Sequence, residues 1–208
     1  MSVNKTLTRN QLAKEHSVKY ATLLLAAASL SCGSAYADET RAQKDTERDV
    51  NQQERIEQGL KSGELNSREA GKLERQEAHV DRLESRAERN GKISNAEQAR
   101  INAAQNRASR EIYRQKHDAQ TGNPNSASSQ RMQADVQRNA NQQARIDQGL
   151  KSGELTNKEA AYLEHGQARV SRAEANAAAD GHVGAGEQAR IQRKENRQSR
   201  RIHQQKHD

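Results

Sequence analysis

The chain repeats itself. Residues 51–118 and 141–208 align without a gap at an offset of 90, and 37 of the 68 paired positions are identical. Asn51–Leu65 recurs as Asn141–Leu155 with two changes, Glu54 to Ala144 and Glu57 to Asp147, and Gln115-Lys116-His117-Asp118 recurs as Gln205-Lys206-His207-Asp208. A duplication lets one module be compared with its own copy, position by position.

Those residues are few. Hydrophobic types make up 31% of the sequence, Phe and Trp are absent, and past residue 37 the only aromatics are Tyr113 and Tyr162. The large aliphatics of the first copy are Ile56, Leu60, Leu65, Leu73, Val80, Leu83, Ile93, Ile101 and Ile112. Burying each is worth about 1.5–3 kcal/mol, against roughly 1–2 kcal/mol of backbone entropy per ordered residue. Low hydrophobicity with high charge points toward disorder. Abundant Ala, Gln, Glu, Arg and Lys, with Pro124 as the single proline, point toward helix. The expectation is an all-α chain: a tandem duplication of a three-helix module, elongated and with a thin core. Helices are predicted over 42–61, 67–89 and 95–116, and in the second copy over 131–151, 157–179 and 185–206. Residues 38–118 form the first repeat, 119–134 a polar linker and 135–208 the second repeat.

The first 37 residues read as a signal peptide. Lys5, Arg9, Lys14 and Lys19 precede a short apolar stretch from Tyr20 to Leu30, and Ala35-Tyr36-Ala37 fits a small-x-small cleavage site. The apolar stretch is too short to span a bilayer, so the mature chain carries no transmembrane segment. Cleavage after Ala37 gives a periplasmic or secreted protein and removes Cys32, the only cysteine, leaving neither disulfide nor thiolate chemistry. A retained N-terminal anchor and lipoprotein processing at Cys32 are the alternatives. Without Lys5, Arg9, Lys14, Lys19 and Glu15 the formal charge falls from +7 to about +4. Mild basic charge on an exported chain suits a protein partner or an anionic envelope component rather than nucleic acid.

The middle helix of the first copy carries three stripes at alternating spacings of three and four. Leu73, Gln76, Val80, Leu83 and Ala87 form an apolar seam. Arg68, Lys72, Arg75, His79, Arg82, Arg86 and Arg89 form a basic stripe, and Glu77, Asp81, Glu84 and Glu88 an acidic one. Like charges at i,i+4 repel, so the segregation predicts a neighbouring helix of opposite sign and a possible homo-oligomer. Arg68, Lys72, Arg75, Arg82, Arg86 and Arg89 are the candidate charged binding face; a merely solvated face is the plainer reading.

Four junctions share one pattern: Gly63–Leu65–Glu69, Gly91–Ile93–Glu97, Gly153–Leu155–Glu159 and Gly181–Val183–Glu187. The spacing resembles the second half of an EF-hand loop, but no loop has a carboxylate at the first ligand position. Asn176, Asp180 and Glu187 retain the most oxygen donors for calcium. His203 and His207, four apart, offer a grip for a divalent transition metal. Helix punctuation accounts for the same residues: Gly63 and Gly153 end helices, while Asn66, Ser94 and Thr156 with Glu69, Glu97 and Glu159 form capping boxes. The last helix, Arg190–Lys206, is strongly basic with only Ile191 and Ile202 as large apolar residues, and can lie on an anionic surface.

No nucleophile–base set, phosphate loop or metal-binding pair with an intervening glutamate is present, so a non-enzymatic role without a resident cofactor is expected. Gln58–Ala70 and Gln105–Asp118, with their copies, resemble exported proteobacterial helical repeat proteins carrying degenerate EF-hand-like loops. Leu155-Thr156, followed by Glu159 in place of Gln, gives a looser likeness to LTxxQ-type periplasmic stress chaperones. The resemblances imply a periplasmic helical protein that binds envelope components or stressed proteins through charged helix faces. The alternative is a metal-responsive protein using the loop carboxylates and C-terminal histidines.

Overall fold

A computed structural model describes residues 41–207. The expected signal peptide with its expected cleavage after Ala37, residues 38–40, and Asp208 lie outside the described residues. Helix α1 covers 41–62, α2 Ser67–Glu88, α3 Asn95–Lys116, α4 Ala127–Ser152, α5 Asn157–Ala177 and α6 Ala185–Gln205, with no strand among the described residues. The chain is all-α.

Punctuation sets the boundaries. Gly63, Gly91, Gly153 and Gly181 have φ of 81°, 82°, 75° and 92°, the left-handed conformation in which a glycine ends a helix without Cβ strain. Asn66, Ser94 and Thr156 each accept from the N–H of Glu69, Glu97 and Glu159, whose carboxylates return to the cap N–H at 2.8–2.9 Å. Gly184 has no side chain to cap with, and only Glu187 closes α6. Helix α4 starts at Ala127, four residues before the expected 131. Ser126 caps it, Ser129 N–H donating to Ser126 Oγ at 3.1 Å, and Ser128 and Ser129 are buried. Ser128 Oγ lies 3.0 Å from Ser67 Oγ and accepts from Val183 N–H at 2.8 Å, so part of the expected linker belongs to the packed structure.

The repeated Gln-Lys-His-Asp ends have a local cause. Lys116 and Lys206 reach back to Glu64 and Glu154 at 3.1 and 3.0 Å. The Nδ1 of His117 and of His207 donates to the carbonyl four residues earlier, at 2.7 Å in both copies. The His117 ring stacks on Tyr113, and that of His207 lies against His203. Arginines of the first helix of each copy clasp the third helix: Arg55 donates to Ser109 Oγ and Arg145 to Ser199 Oγ, both at 2.8 Å.

The two copies share their cores. One apolar cluster joins Ile56, Leu60, Leu65, Leu73 and Ile112 of the first copy to Met132, Val136, Ala178, Val183 and Ile191 of the second. The other joins Ile146, Leu150, Leu155, Leu163 and Ile202 to Ala42, Ala87, Ile93 and Ile101. Adding 90 to the first five residues of one cluster gives the first five of the other, so the two halves are related by a pseudo-twofold exchange. At its centre α2 and α5 run antiparallel: the start of α2, at Gly71, meets Ala178 just past the end of α5, and Asp81 and Glu84 near the end of α2 meet Glu164 near the start of α5. A Cβ on Gly71 would stand 2.6 Å from that of Ala178, so the glycine permits the close approach. The described residues form one unit.

Leu73 and Leu163 occupy equivalent places in opposite clusters, each at 0% exposure. Leu73→Ala and Leu163→Ala are each expected to destabilise the chain by about 2–5 kcal/mol, and by similar amounts. Urea unfolding of both variants checks this; a loss in one alone would mean that the clusters are not equivalent.

Candidate functional site: a buried carboxylate cluster

The acidic stripe of α2 faces inward. Glu74, Glu77, Asp81, Glu84 and Glu88 are 0–3% exposed, while Arg68, Lys72, Arg75, Arg86 and Arg89 are exposed and Arg82 half-buried. Among the described residues no buried Lys or Arg of a neighbouring helix faces it. Facing the stripe from α5 are Glu164, Gln167, Ser171 and Glu174, also buried. Of the expected seam, Leu73, Val80 and Ala87 are buried and Gln76 and Leu83 only half so. Among the described residues twelve carboxylates are buried and no Lys or Arg is. Buried charge normally comes paired. Among the ion pairs between described residues, one reaches a fully buried carboxylate, Arg138 to Glu195 at 3.2 Å.

Asp49 of α1, Asp81 and Glu84 of α2 and Glu164 of α5 come together, each with an oxygen within 4.8 Å of the others. Asp49 Oδ2, Asp81 Oδ2, Glu84 Oε2 and Glu164 Oε1 have no hydrogen-bond partner. The donors nearby are amides: Gln105 Nε2 reaches Asp49 at 2.9 Å, Glu84 at 3.0 Å and the Asp45 carbonyl at 2.9 Å, and Gln143 Nε2 reaches Glu164 at 3.0 Å. One amide nitrogen with two hydrogens serves three acceptors. The carbonyl oxygens of Gln105 and Gln143 are themselves buried and unpartnered. Glu77, 1% exposed with neither oxygen bonded, lies close enough for the charge of Asp49 to act on it.

Burial pushes Asp49 up to about 7 and Glu164 to about 8, and drives Asp81 and Glu84 well above the usual carboxylate range. Neighbouring negative charges push Asp81, Glu84 and Glu164 in the same direction. The cluster therefore holds protons or a cation. Carboxylate and amide oxygens in a dry interior are hard ligands, suited to calcium, magnesium or manganese.

The copy supplies a comparison. At the offset of 90, Asp49, Asp81, Glu84 and Glu164 correspond to Asn139, Ser171, Glu174 and Glu74. There Asn139 Nδ2 donates to Glu174 at 2.6 Å and Gln53 Nε2 to Glu74 at 3.2 Å. Two carboxylates have given way to an amide and a hydroxyl, and the amide bonds what remains. The same backbone position thus carries four carboxylates in one copy and two in the other, where Glu74 Oε1, Glu174 Oε1 and Asn139 Oδ1 are also buried without a partner.

None of the residues expected to hold a metal belongs to this cluster. Glu187 accepts the Gly184 N–H at 2.9 Å as a cap, Asp180 Oδ1 accepts the His182 N–H at 2.8 Å within its turn, and Asn176 is exposed. His203 and His207 finish α6 as Tyr113 and His117 finish α3. Asp49 and Glu164 were missed because they sit on other helices. The available signal was the acidic stripe on α2 becoming Gln167, Ser171 and Glu174 in the copy, a polar but less charged version of a face assumed to be solvated.

Comparison with protein-family models, with curated proteins and with solved structures finds no significant match.

Proposed function

We propose that this is a non-enzymatic, exported helical protein that binds a hard divalent cation inside its bundle, with Asp49, Asp81, Glu84 and Glu164 as ligands. The carrying observation is the convergence of four carboxylates from three helices with no Lys or Arg buried among them. A divalent ion offsets part of that charge, and the remainder stays with bound protons and the amides of Gln105 and Gln143. This is the metal-responsive reading, moved from the loops and histidines to the interior. Because the ligands come from α1, α2 and α5, ion binding ties the two copies together and couples to folding.

Titration calorimetry at pH 8 with calcium, manganese and magnesium tests it. One ion per chain is expected for at least one of the three. Asp49→Asn, which reproduces the Asn139 of the copy, is expected to lose binding and to raise the stability of the metal-free chain at pH 8. No heat from any of the three at millimolar concentration would sink the proposal, as would an unchanged Asp49→Asn.

A second reading, binding of anionic envelope components or stressed proteins through charged helix faces, draws on the same segregation. With twelve carboxylates buried and no described Lys or Arg among the buried residues, the described surface is more basic than the formal charge of about +4 past residue 37 suggests. No helix among the described residues is long and apolar enough to cross a membrane.

A further inference from the structure

Between α5 and α6 runs a groove of about 370 Å³, walled by Arg169, Arg172, Arg190 and Lys194 and floored by Ala173 and Ile191. All four cations are exposed and none makes an ion pair among the described residues. Glu187, the one acid on the wall, is already committed to capping α6. The cationic wall continues along the same helices with Arg197 and Arg201, which line a smaller hollow beside Arg169 and Lys194.

The duplication again supplies a comparison. In the first copy the equivalents of Arg169, Arg172, Arg190 and Lys194 are His79, Arg82, Arg100 and Ala104. Leu83 stands where Ala173 leaves the floor open, and packs against the apolar cluster on its own side. The second copy has a smaller floor residue and two gained cations, all at one place. A general drift toward basic charge does not explain a side chain removed from the floor.

We propose that this groove is a binding site for a compact ligand carrying two or more phosphate groups. Guanidinium forks match phosphate oxygens with paired hydrogen bonds, and cations on two facing helices reach a ligand from both sides. The site is separate from the interior cluster and does not depend on cation binding there.

The test uses two probes against the full mature chain: tripolyphosphate followed by calorimetry, and vesicles containing cardiolipin, whose headgroup carries two phosphates, followed by co-sedimentation. Ala173→Leu restores the floor residue of the first copy and leaves every charge in place. It is expected to weaken binding at least tenfold, and Lys194→Ala, copying Ala104, to weaken it severalfold. Binding of tripolyphosphate identifies a free phosphate ligand; binding of vesicles alone, lost in Ala173→Leu, identifies a lipid headgroup. Binding of neither probe overturns the site. Binding that is unchanged in both variants also overturns it, because a diffuse basic surface would respond to total charge and not to the floor. Circular dichroism of each variant separates loss of the groove from loss of the fold, and Lys194→Ala, on an exposed side chain, carries the test should Ala173→Leu unfold.

Discussion

Raising the pH from 5 to 8 in the presence of a chelator is expected to lower the thermal midpoint of a chain of residues 38–208 by roughly 10–20 °C. Burial, the largest influence on each, holds Asp49 and Glu74 at about 7 and Glu164 at about 8 in the folded chain, against about 4 when unfolded. Between those limits the folded chain binds more protons than the unfolded one, so stability falls as pH rises. The contribution is fully present below about pH 4 and is lost as pH climbs through 7 and 8. Each fully buried group loses about 1.4 kcal/mol per pH unit in that window, so Asp49 and Glu74 alone, over the two units from pH 5 to 7, lose about 6 kcal/mol. About 2–4 °C per kcal/mol converts this to the midpoint shift for a chain of this size. Glu97, held low by the Ser94 hydrogen bond, acts in the opposite sense, and its contribution is lost as pH falls through its lowered value.

Ions and protons compete for the same oxygens, so the bound cation is expected to have the reverse dependence: affinity that grows from pH 5 to 8, and a midpoint at pH 8 restored by calcium or manganese. Dichroism melts at four pH values, with and without ion, read both trends. A midpoint that is flat or rises between pH 5 and 8 without ion would show that the buried carboxyls are not held as the structure has them.

Cutting the chain between its copies is expected to abolish the folded monomer. Each apolar cluster draws its residues from both halves, so residues 38–118 alone leave Leu60, Leu65 and Leu73 without Met132, Val136 and Val183. They also strip α2 of α5, against which its acidic face is buried. A fragment of that length has little other core to fall back on. Helicity of 38–118 is expected to be low when dilute and to rise on mixing with 119–208, or with concentration through self-pairing, since the pseudo-twofold lets one copy stand in for the other. Helicity and sedimentation across a concentration series read this directly. A stable monomeric fold of 38–118 at low concentration would mean that the shared clusters are dispensable.

Much of this architecture was readable in one dimension. Gly63, Gly91, Gly153 and Gly181 with the glutamates six places on mark the junctions, because a left-handed glycine and a capping box are local chemistry within a few residues of chain. The spacing of Leu73, Val80 and Ala87 likewise put one stripe inside. The boundary at Ala127 has a local signal in the Ser126 cap, whereas the Ser128 contacts to Ser67 and Val183 come from far away in sequence.

The sequence alone determined the all-α class, the repeat, the caps and the existence of three stripes on α2. The tertiary structure decided which stripes are buried, and that the two copies complete each other. A stripe of Glu77, Asp81, Glu84 and Glu88 ordinarily lies in water, since a lone buried carboxylate is costly. Its burial follows from α5, whose Glu164, Gln167 and Ser171 lie 76 to 94 residues away along the chain, and from Asp49 of α1. Helical periodicity records the angle of each side chain about its own axis. It carries no information about which other helix will stand there, and that choice turned a charged surface into a candidate cation site.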